Sequence, residues 1–362
     1  MDIIEPKDFR ELLVTNTPMI DVRSPSEFGK GAVPGAVNFP ILNDDERAKV
    51  GACYKNEGKD AAIELGHSLI SGERKEQLLS DWQSYLLDHP DAIVYCARGG
   101  LRSRISQQWI HEQGISRPII KGGFKALRKF CLDQIEQVKD RKLIMISGMT
   151  GVGKTDVLVE QIPNIDLEGI AHHRGSSFGK TTTPQPSQID FENKIAIEMM
   201  KIDPAVHCLI EDESRLIGRN FVPLPLQAKM KQCSIVLLQA SIEERVSRIV
   251  EQYVNQPYQH YLTVYDEKVS LQLLLQQLNQ GLKNLRKRLG NEAYQALHDL
   301  QVRAVAEMTT NNLTKHQQWI EQLLERYYDP MYNYQLSHKK DRIIFVGKRA
   351  EVAEYLAEKL GK

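Results

Sequence analysis

The sequence predicts an α/β protein made of two parallel-sheet domains, 1–135 and 143–362, the second with a helical part over about 266–328. Three observations predict it. Short apolar runs, such as Ala92-Ile93-Val94-Tyr95 and Leu143-Ile144-Met145-Ile146, alternate with longer amphipathic stretches. Both of those runs lead into a glycine-bearing loop and then a helix start. A polar, charged stretch at 136–142 reads as a linker between the halves. A chain of 362 residues suffices for two cores, and 41% hydrophobic with 26% charged residues is ordinary for a globular protein.

The elements follow in order. Phe9–Val14 reads as a short helix and Met19–Arg23 as an apolar strand ending in charge. Ser24–Phe28 is a turn and helix start, and 31–40 holds paired Gly/Pro turns around a short strand. Residues 67–88 read as one long helix, from the spacing of Leu69, Ile70, Leu78, Leu79, Trp82 and Leu86. Ala92–Tyr95 is a buried strand, Arg104–Gln113 a helix, and Pro118–Ile120 a strand closed by Lys121-Gly122-Gly123. In the second domain a strand at 143–146 is followed by a helix from Asp156 and a short strand after Asn164. Ala205–Ile210 and Ser234–Gln239 are further strands. Ser241 caps a helix running from Ile242 to about Val254. A last strand, Arg342–Val346, and a helix, Ala350–Leu360, close the chain.

Two loops carry the chemistry. Gly148-x-x-x-x-Gly153-Lys154-Thr155, with Gly151 between, has a strand before it and a helix after it, the context a P-loop needs. Its glycines let successive N–H groups face one phosphate cluster, Lys154 adds a positive charge, and the Thr155 hydroxyl suits a magnesium ion. The strand ending in Glu211-Asp212-Glu213 offers the facing carboxylate, with Glu211 and Asp212 the candidates and Thr155 with Asp212 the magnesium pair. Arg245 and Arg248 either face the phosphates or lie on a solvated helix face. The second loop is Cys96-Ala97-Arg98-Gly99-Gly100-Leu101-Arg102. A cysteine at a strand end, before a helix N-terminus and beside Arg98 and Arg102, suits a thiolate and an anion cradle with Gly99 and Gly100.

Weaker candidates surround these. His172-His173-Arg174-Gly175-Ser176-Ser177 is dense in donors, and His173, Arg174, Ser176 and Ser177 read as a substrate loop. Lys283, Arg286, Lys287 and Arg288 form the strongest local basic cluster for RNA phosphates in a chain of zero net charge. Tyr327, Tyr328, Tyr332 and Tyr334 can stack on bases or simply pack. Five cysteines without a CxxC pair suit free thiols in a reducing cytoplasm and argue against a zinc site or a disulfide framework. Cys53 either resolves an intermediate on Cys96 or, the preferred reading, packs as a small hydrophobe, and Cys131 reads as packed. No signal peptide and no membrane span are expected.

Asp21-Val22-Arg23, Glu27-Phe28, Val33-Pro34-Gly35-Ala36-Val37-Asn38, the Cys96 loop and Gly122-Gly123 together resemble a rhodanese domain. The loop departs from the common rhodanese Cys-x-x-Gly-x-Arg form. Its Cys-x5-Arg spacing also resembles cysteine phosphatases, which suggests a larger anion than sulfane sulfur. A rhodanese-like domain followed by a P-loop NTPase-like domain, with Asp166-Leu167-Glu168-Gly169, Glu211-Asp212-Glu213-Ser214 and Tyr327-Tyr328-Asp329-Pro330-Met331-Tyr332, resembles the tRNA 2-selenouridine synthase family from about Asp21 to Tyr334. The resemblance implies a cytoplasmic transferase acting on tRNA. It would replace the sulfur of 2-thiouridine at the wobble position with selenium from selenophosphate, after geranyl transfer from geranyl diphosphate to that sulfur. It implies Cys96 as the catalytic residue, a selenophosphate site at Arg98, Gly99, Gly100 and Arg102, and a diphosphate site at the P-loop. No tightly bound cofactor is implied beyond magnesium with the diphosphate. The residues alone leave three rivals open: a sulfurtransferase feeding a separate partner, a small-molecule kinase, and a nucleotide-driven RNA-binding switch.

Overall fold

A computed structural model describes residues 2–160, 163–310 and 312–360. The chain divides into two compact units. One runs to Gln137 and includes Ser187–Lys201; the other comprises Val138–Pro186 and Ile202 onward.

The first unit holds strands β1 (Ile3–Ile4), β2 (Met19–Asp21), β3 (Ala36–Asn38), β4 (Ile93–Tyr95) and β5 (Ile119–Ile120). They form a parallel sheet in the order β1-β5-β4-β2-β3. Successive side chains alternate between faces, and both faces are covered, which is why the strands read as unbroken apolar runs. Met19, Ile93, Tyr95 and Ile120 pack with Phe9, Leu127 and Ile135. Ile20, Val94 and Ile119 pack on the other side with Trp82, Leu86, Trp109 and Ile110.

Two features differ from the sequence reading. The long helix over 67–88 is two helices, Lys59–Leu69 and Gly72–Asp88, broken where Gly72 takes a φ of +54°. The apolar spacing continues across the break, so periodicity alone reads through it. Ahead of it lies the helix Asp44–Glu57, which buries none of its residues fully and so has no apolar stripe to reveal it.

The helix Gln188–Lys201 falls inside the range expected for the second domain, yet it packs in the first unit. The Asn193 carboxamide donates to the Ala32 carbonyl at 2.8 Å, and the Ala32 N–H donates to Asp190 at 2.7 Å. Arg128 donates to the Asn193 carbonyl at 2.8 Å and pairs with Glu192, while Arg10 donates to the Met200 carbonyl at 2.6 Å. Ala196, Ile197 and Met200 complete the first core. An amphipathic pattern shows that a helix is covered; it does not name the sheet that covers it.

The second unit holds β6 (Lys142–Ser147), β7 (Asn164–Ile165), β8 (His207–Glu211), β9 (Leu216–Ile217), β10 (Asn220–Phe221), β11 (Ser234–Leu238) and β12 (Ile343–Gly347). Five make a parallel sheet in the order β12-β11-β6-β8-β7, and β9 and β10 form a separate antiparallel pair. The helices Glu267–Leu289, Asn291–Glu307 and Thr314–Leu323 occupy the expected helical stretch. They bury Leu274, Leu278, Leu282 and Trp319 with Phe178 and Ile249. Ser241 caps the helix Ile242–Val250 in a reciprocal box with Glu244. That helix continues through a π turn, Glu251–Asn255, into Gln256–Leu262. Among the described residues no helix is long and apolar enough to cross a membrane.

Candidate active site

In the first unit β4 delivers Cys96, only 3% exposed, to its loop. The thiol donates to the Ser103 hydroxyl at 3.3 Å, and that hydroxyl donates to the Gly100 carbonyl at 3.1 Å. Gly122-Gly123 closes against the loop, with Phe124 N–H donating to the Cys96 carbonyl at 2.8 Å and Lys125 N–H to Ala97 at 3.0 Å. Glycine is required there. Gly123 has a φ of +58°, and a Cβ on it would sit 2.2 Å from the Cys96 carbonyl oxygen. Asp21 and Arg23, by contrast, form a buried pair whose guanidinium also stacks on Phe124 at 3.9 Å, a brace for the sheet edge.

Arg102 is not an open cation. Glu27, on the helix Pro25–Gly29, accepts from both its terminal nitrogens at 2.5 and 3.1 Å. Burial alone would push the Glu27 carboxyl up, but the bond and charge of Arg102 outweigh it and hold the group down at about 2. Arg98 is exposed and makes no ion pair among the described residues. Gly99 turns the loop at a φ of +61°, and Gly100 precedes the helix Leu101–Glu112. Cys53 is half-buried on a helix; Cys131 and Cys208 are buried, and burial pushes both thiols up to about 12.

In the second unit β6 ends at Ser147 and the P-loop leads into the helix Lys154–Glu160. Gly151 and Gly153 take φ values of +79° and +89°, and Gly148 leaves room for the Leu238 carbonyl. Lys154 bonds the Gly148 carbonyl at 3.2 Å. Arg245 and Arg248 serve the loop itself. Arg245 donates to the Thr150 carbonyl at 2.9 Å and pairs with both oxygens of Asp329 at 3.0 and 2.5 Å. Arg248 donates to the Gly151 carbonyl at 2.8 Å and pairs with Asp156 at 3.3 Å.

The carboxylate facing Thr155 is Glu211. The Thr155 hydroxyl donates to it at 2.6 Å and lies 3.3 Å from Glu168. Asp212 instead takes Lys339 at 2.6 and 2.7 Å and the Ser147 hydroxyl, so of the two expected acids it is Glu211, not Asp212, that the Thr155 hydroxyl meets. The cause is strand alternation: β8 turns neighbouring side chains to opposite sides. Burial, and then the charge of Glu168, pushes Glu211 up to about 8. Glu168 and Glu213 are raised too, by burial and by neighbouring carboxylates, against the pull of Lys154. The backbone of Gly175 comes so close that a Cβ would lie 2.6 Å from Glu168 and 2.7 Å from Glu213.

An open cleft of about 870 Å³ is lined by Lys154, Thr155, Glu168, Asp212 and Glu213, while Glu211 is fully buried behind Thr155. His173, Arg174, Ser176 and Ser177 line it together with the P-loop. Arg174 stacks on Tyr253 at 5.2 Å and donates to the Gln252 carbonyl, while Ser176 donates to the Tyr253 hydroxyl at 3.3 Å. Of the basic cluster only Arg288 reaches the cleft, bonding the Tyr327 hydroxyl at 2.7 Å. Lys283, Arg286 and Lys287 are exposed, and Arg286 stacks on Tyr294 at 5.2 Å. Tyr253 and Tyr327 come from two π turns, Glu251–Asn255 and Leu324–Tyr328. Behind Tyr253, Tyr328 and Thr150 lies a narrow apolar annex walled by Phe178, Ile249, Trp319 and Leu324. Sequence reasoning missed Glu168 and Lys339 as site residues. Glu168 was visible in Asp166-Leu167-Glu168-Gly169; nothing in the local sequence marks Lys339.

Comparisons with known proteins bear on both units. A family model described as the tRNA 2-selenouridine synthase AAA domain matches residues 141–362, and a rhodanese-like domain model matches 5–129. A protein named tRNA 2-selenouridine synthase from Pseudomonas syringae pv. syringae (strain B728a) is 47% identical over 356 residues, covering 97% of each chain. The chain belongs to the tRNA 2-selenouridine synthase family. Relatives of the same name from Pseudomonas putida (strain W619) and Shewanella frigidimarina (strain NCIMB 400) are 48% and 44% identical. The former match covers 96% of this chain and 97% of the relative, the latter 98% of each. The rhodanese-like match within this family member ends before the helix Gln188–Lys201 that completes the same unit.

Proposed function

We propose that this protein is a transferase that modifies tRNA, replacing the sulfur of a wobble 2-thiouridine with selenium by way of an S-geranyl intermediate. The relatives' shared name supports the tRNA and the selenouridine. The observation that carries the two-step chemistry is that the chain holds two separate anion loops, the P-loop on an open cleft of about 870 Å³ and the Cys96 loop with its exposed Arg98.

In the first step the sulfur of the thiouridine attacks C1 of geranyl diphosphate. The carbon–oxygen bond breaks, diphosphate leaves, and the uridine N3 proton is lost. Lys154 and the loop N–H groups hold the leaving group as its charge grows. The hydrocarbon lies along the apolar part of the open cleft, beside Val152, Tyr253 and Met331. An oxygen-only set of Thr155 with one or two carboxylates suits magnesium bound jointly with a diphosphate. Among the described residues there is no preformed cage of three or more ligating side chains, so Thr155 and Glu211 would hold the ion only with the substrate. That ion would neutralise charge on the leaving group. Tyr327 and Arg288 lie at the cleft where a splayed anticodon base would enter.

In the second step the selenium of selenophosphate bonds to the uridine C2, the C2–S bond breaks, and geranyl thiol departs with a proton. Water then splits the Se–P bond and releases phosphate. Arg98 and the Cys96 loop bind the selenophosphate. The deciding experiment weighs the wobble nucleoside of treated tRNA. Lys154→Ala should leave 2-thiouridine unchanged, and Cys96→Ser should stop at the geranylated nucleoside. Full selenium incorporation by either variant would refute the scheme.

A further inference from the structure

Among the described residues the Cys96 thiol has one hydrogen-bond partner, the Ser103 hydroxyl at 3.3 Å. Ser103 is fully buried in the first turn of the helix Leu101–Glu112, where the positive dipole end favours a negative charge. Its own proton goes to the Gly100 carbonyl at 3.1 Å. That carbonyl also accepts from the Arg104 N–H at 3.3 Å, so it stays paired if the hydroxyl turns away. A hydroxyl carries a single proton and can accept as well as donate. The observed chain of donors, sulfur to oxygen to carbonyl, is therefore the arrangement that suits a protonated Cys96.

We propose that Ser103 is the positioning residue that holds Cys96 as a thiolate in the selenium step. The S–H bond breaks, the proton passes to solvent, and the electron pair stays on sulfur. The Ser103 hydroxyl then rotates from the Gly100 carbonyl to the sulfur and donates to it, a bond strengthened by the charge it meets. Only one hydroxyl has to turn, because the Arg104 N–H keeps the Gly100 carbonyl satisfied. The charges around the loop do not replace this bond. Arg102 is held by Glu27 and Arg23 by Asp21, while Arg98 and Lys125 are exposed, where water screens them. Use of the thiolate in the selenium step rests on the two-step reading above, whereas the bond between serine and thiolate can be tested alone.

The test measures how fast iodoacetamide alkylates Cys96 in the full-length protein across a pH series, read by mass spectrometry of the Cys96 peptide. A hydrogen bond to a charged group corresponds to about one to two pH units in the midpoint of that profile. Ser103→Ala should raise the midpoint by that amount, and Ser103→Thr should leave it at the wild-type position. At neutral pH Ser103→Ala should lower kcat for selenium incorporation by about ten- to hundredfold with KM for selenophosphate unchanged, and raising the pH should restore it. If the alanine protein fails to fold, Ser103→Val against Ser103→Thr makes the same comparison between two side chains of one shape. A Ser103→Ala protein of native melting temperature with an unmoved midpoint overturns the proposal. So does a loss of selenium incorporation that higher pH does not restore, which marks a merely structural serine. If the wild type incorporates no selenium while the Ser103→Ala midpoint still rises, the two-step reading fails and the serine–thiolate bond stands.

Discussion

Replacing Arg245 by Met separates the stability of the second unit from the function of its P-loop. The Arg245 side chain is 4% exposed and its partner Asp329 is 20% exposed. Removing one member of a buried pair strands the other, at about 3–5 kcal/mol. The residual exposure of Asp329 lets water reach it, which favours about 3 kcal/mol. The lost bond to the Thr150 carbonyl adds about 1 kcal/mol. Urea unfolding read by the fluorescence of Trp319 in the second unit should therefore show a loss of about 3–4 kcal/mol. Arg245→Met with Asp329→Leu removes the stranded carboxylate and should recover about 2 kcal/mol or more. The loop tether stays missing in both variants. Calorimetric titration with magnesium diphosphate should then show equally weakened binding in the single and double variants. A single variant within about 1 kcal/mol of wild type, or a double variant that regains full diphosphate affinity, would refute the assignment of Arg245 as loop fastener.

Other expectations concern the two loops and pH. Gly123→Ala forces a Cβ onto the Cys96 carbonyl at a positive φ and should cost about 1–3 kcal/mol. Nucleoside analysis should show geranylation kept and selenium incorporation lost. Glu211 sits at about 8 in the folded protein against an ordinary 4.5, so its contribution is complete below pH 4.5 and lost as pH rises through 8. Melting temperature should fall over that window, and Glu211→Gln should flatten the fall. Glu27 has the opposite sign. Held at about 2, it stabilises above pH 4.5 and loses that effect as pH drops toward 2, so Glu27→Gln should blunt the acid limb of the melting curve.

Much of the site was legible because its chemistry is local. The P-loop spacing fixes a strand, a turn and a helix within thirteen residues, and the Cys96 loop does the same with a cysteine at a strand end. What escaped was set by contacts distant in sequence. Arg102 reads as a free cation until Glu27, seventy-five positions earlier, is folded onto it. Asp212 reads as an unpaired acid until Lys339 arrives from the far end of the chain. The break between Leu69 and Gly72 was hidden because the apolar rhythm resumes in phase.

The helix Gln188–Lys201 governs how the protein can be dissected. The polypeptide passes from one unit to the other at 137/138, at 186/187 and again at 201/202. A fragment that stops in the linker would leave Tyr95, Leu127 and Ile135 without the Ala196, Ile197 and Met200 that cover their cluster. A fragment that starts there would carry an orphaned greasy rod. No single cut yields two whole units, so the rhodanese-like and P-loop parts have to be produced as one polypeptide.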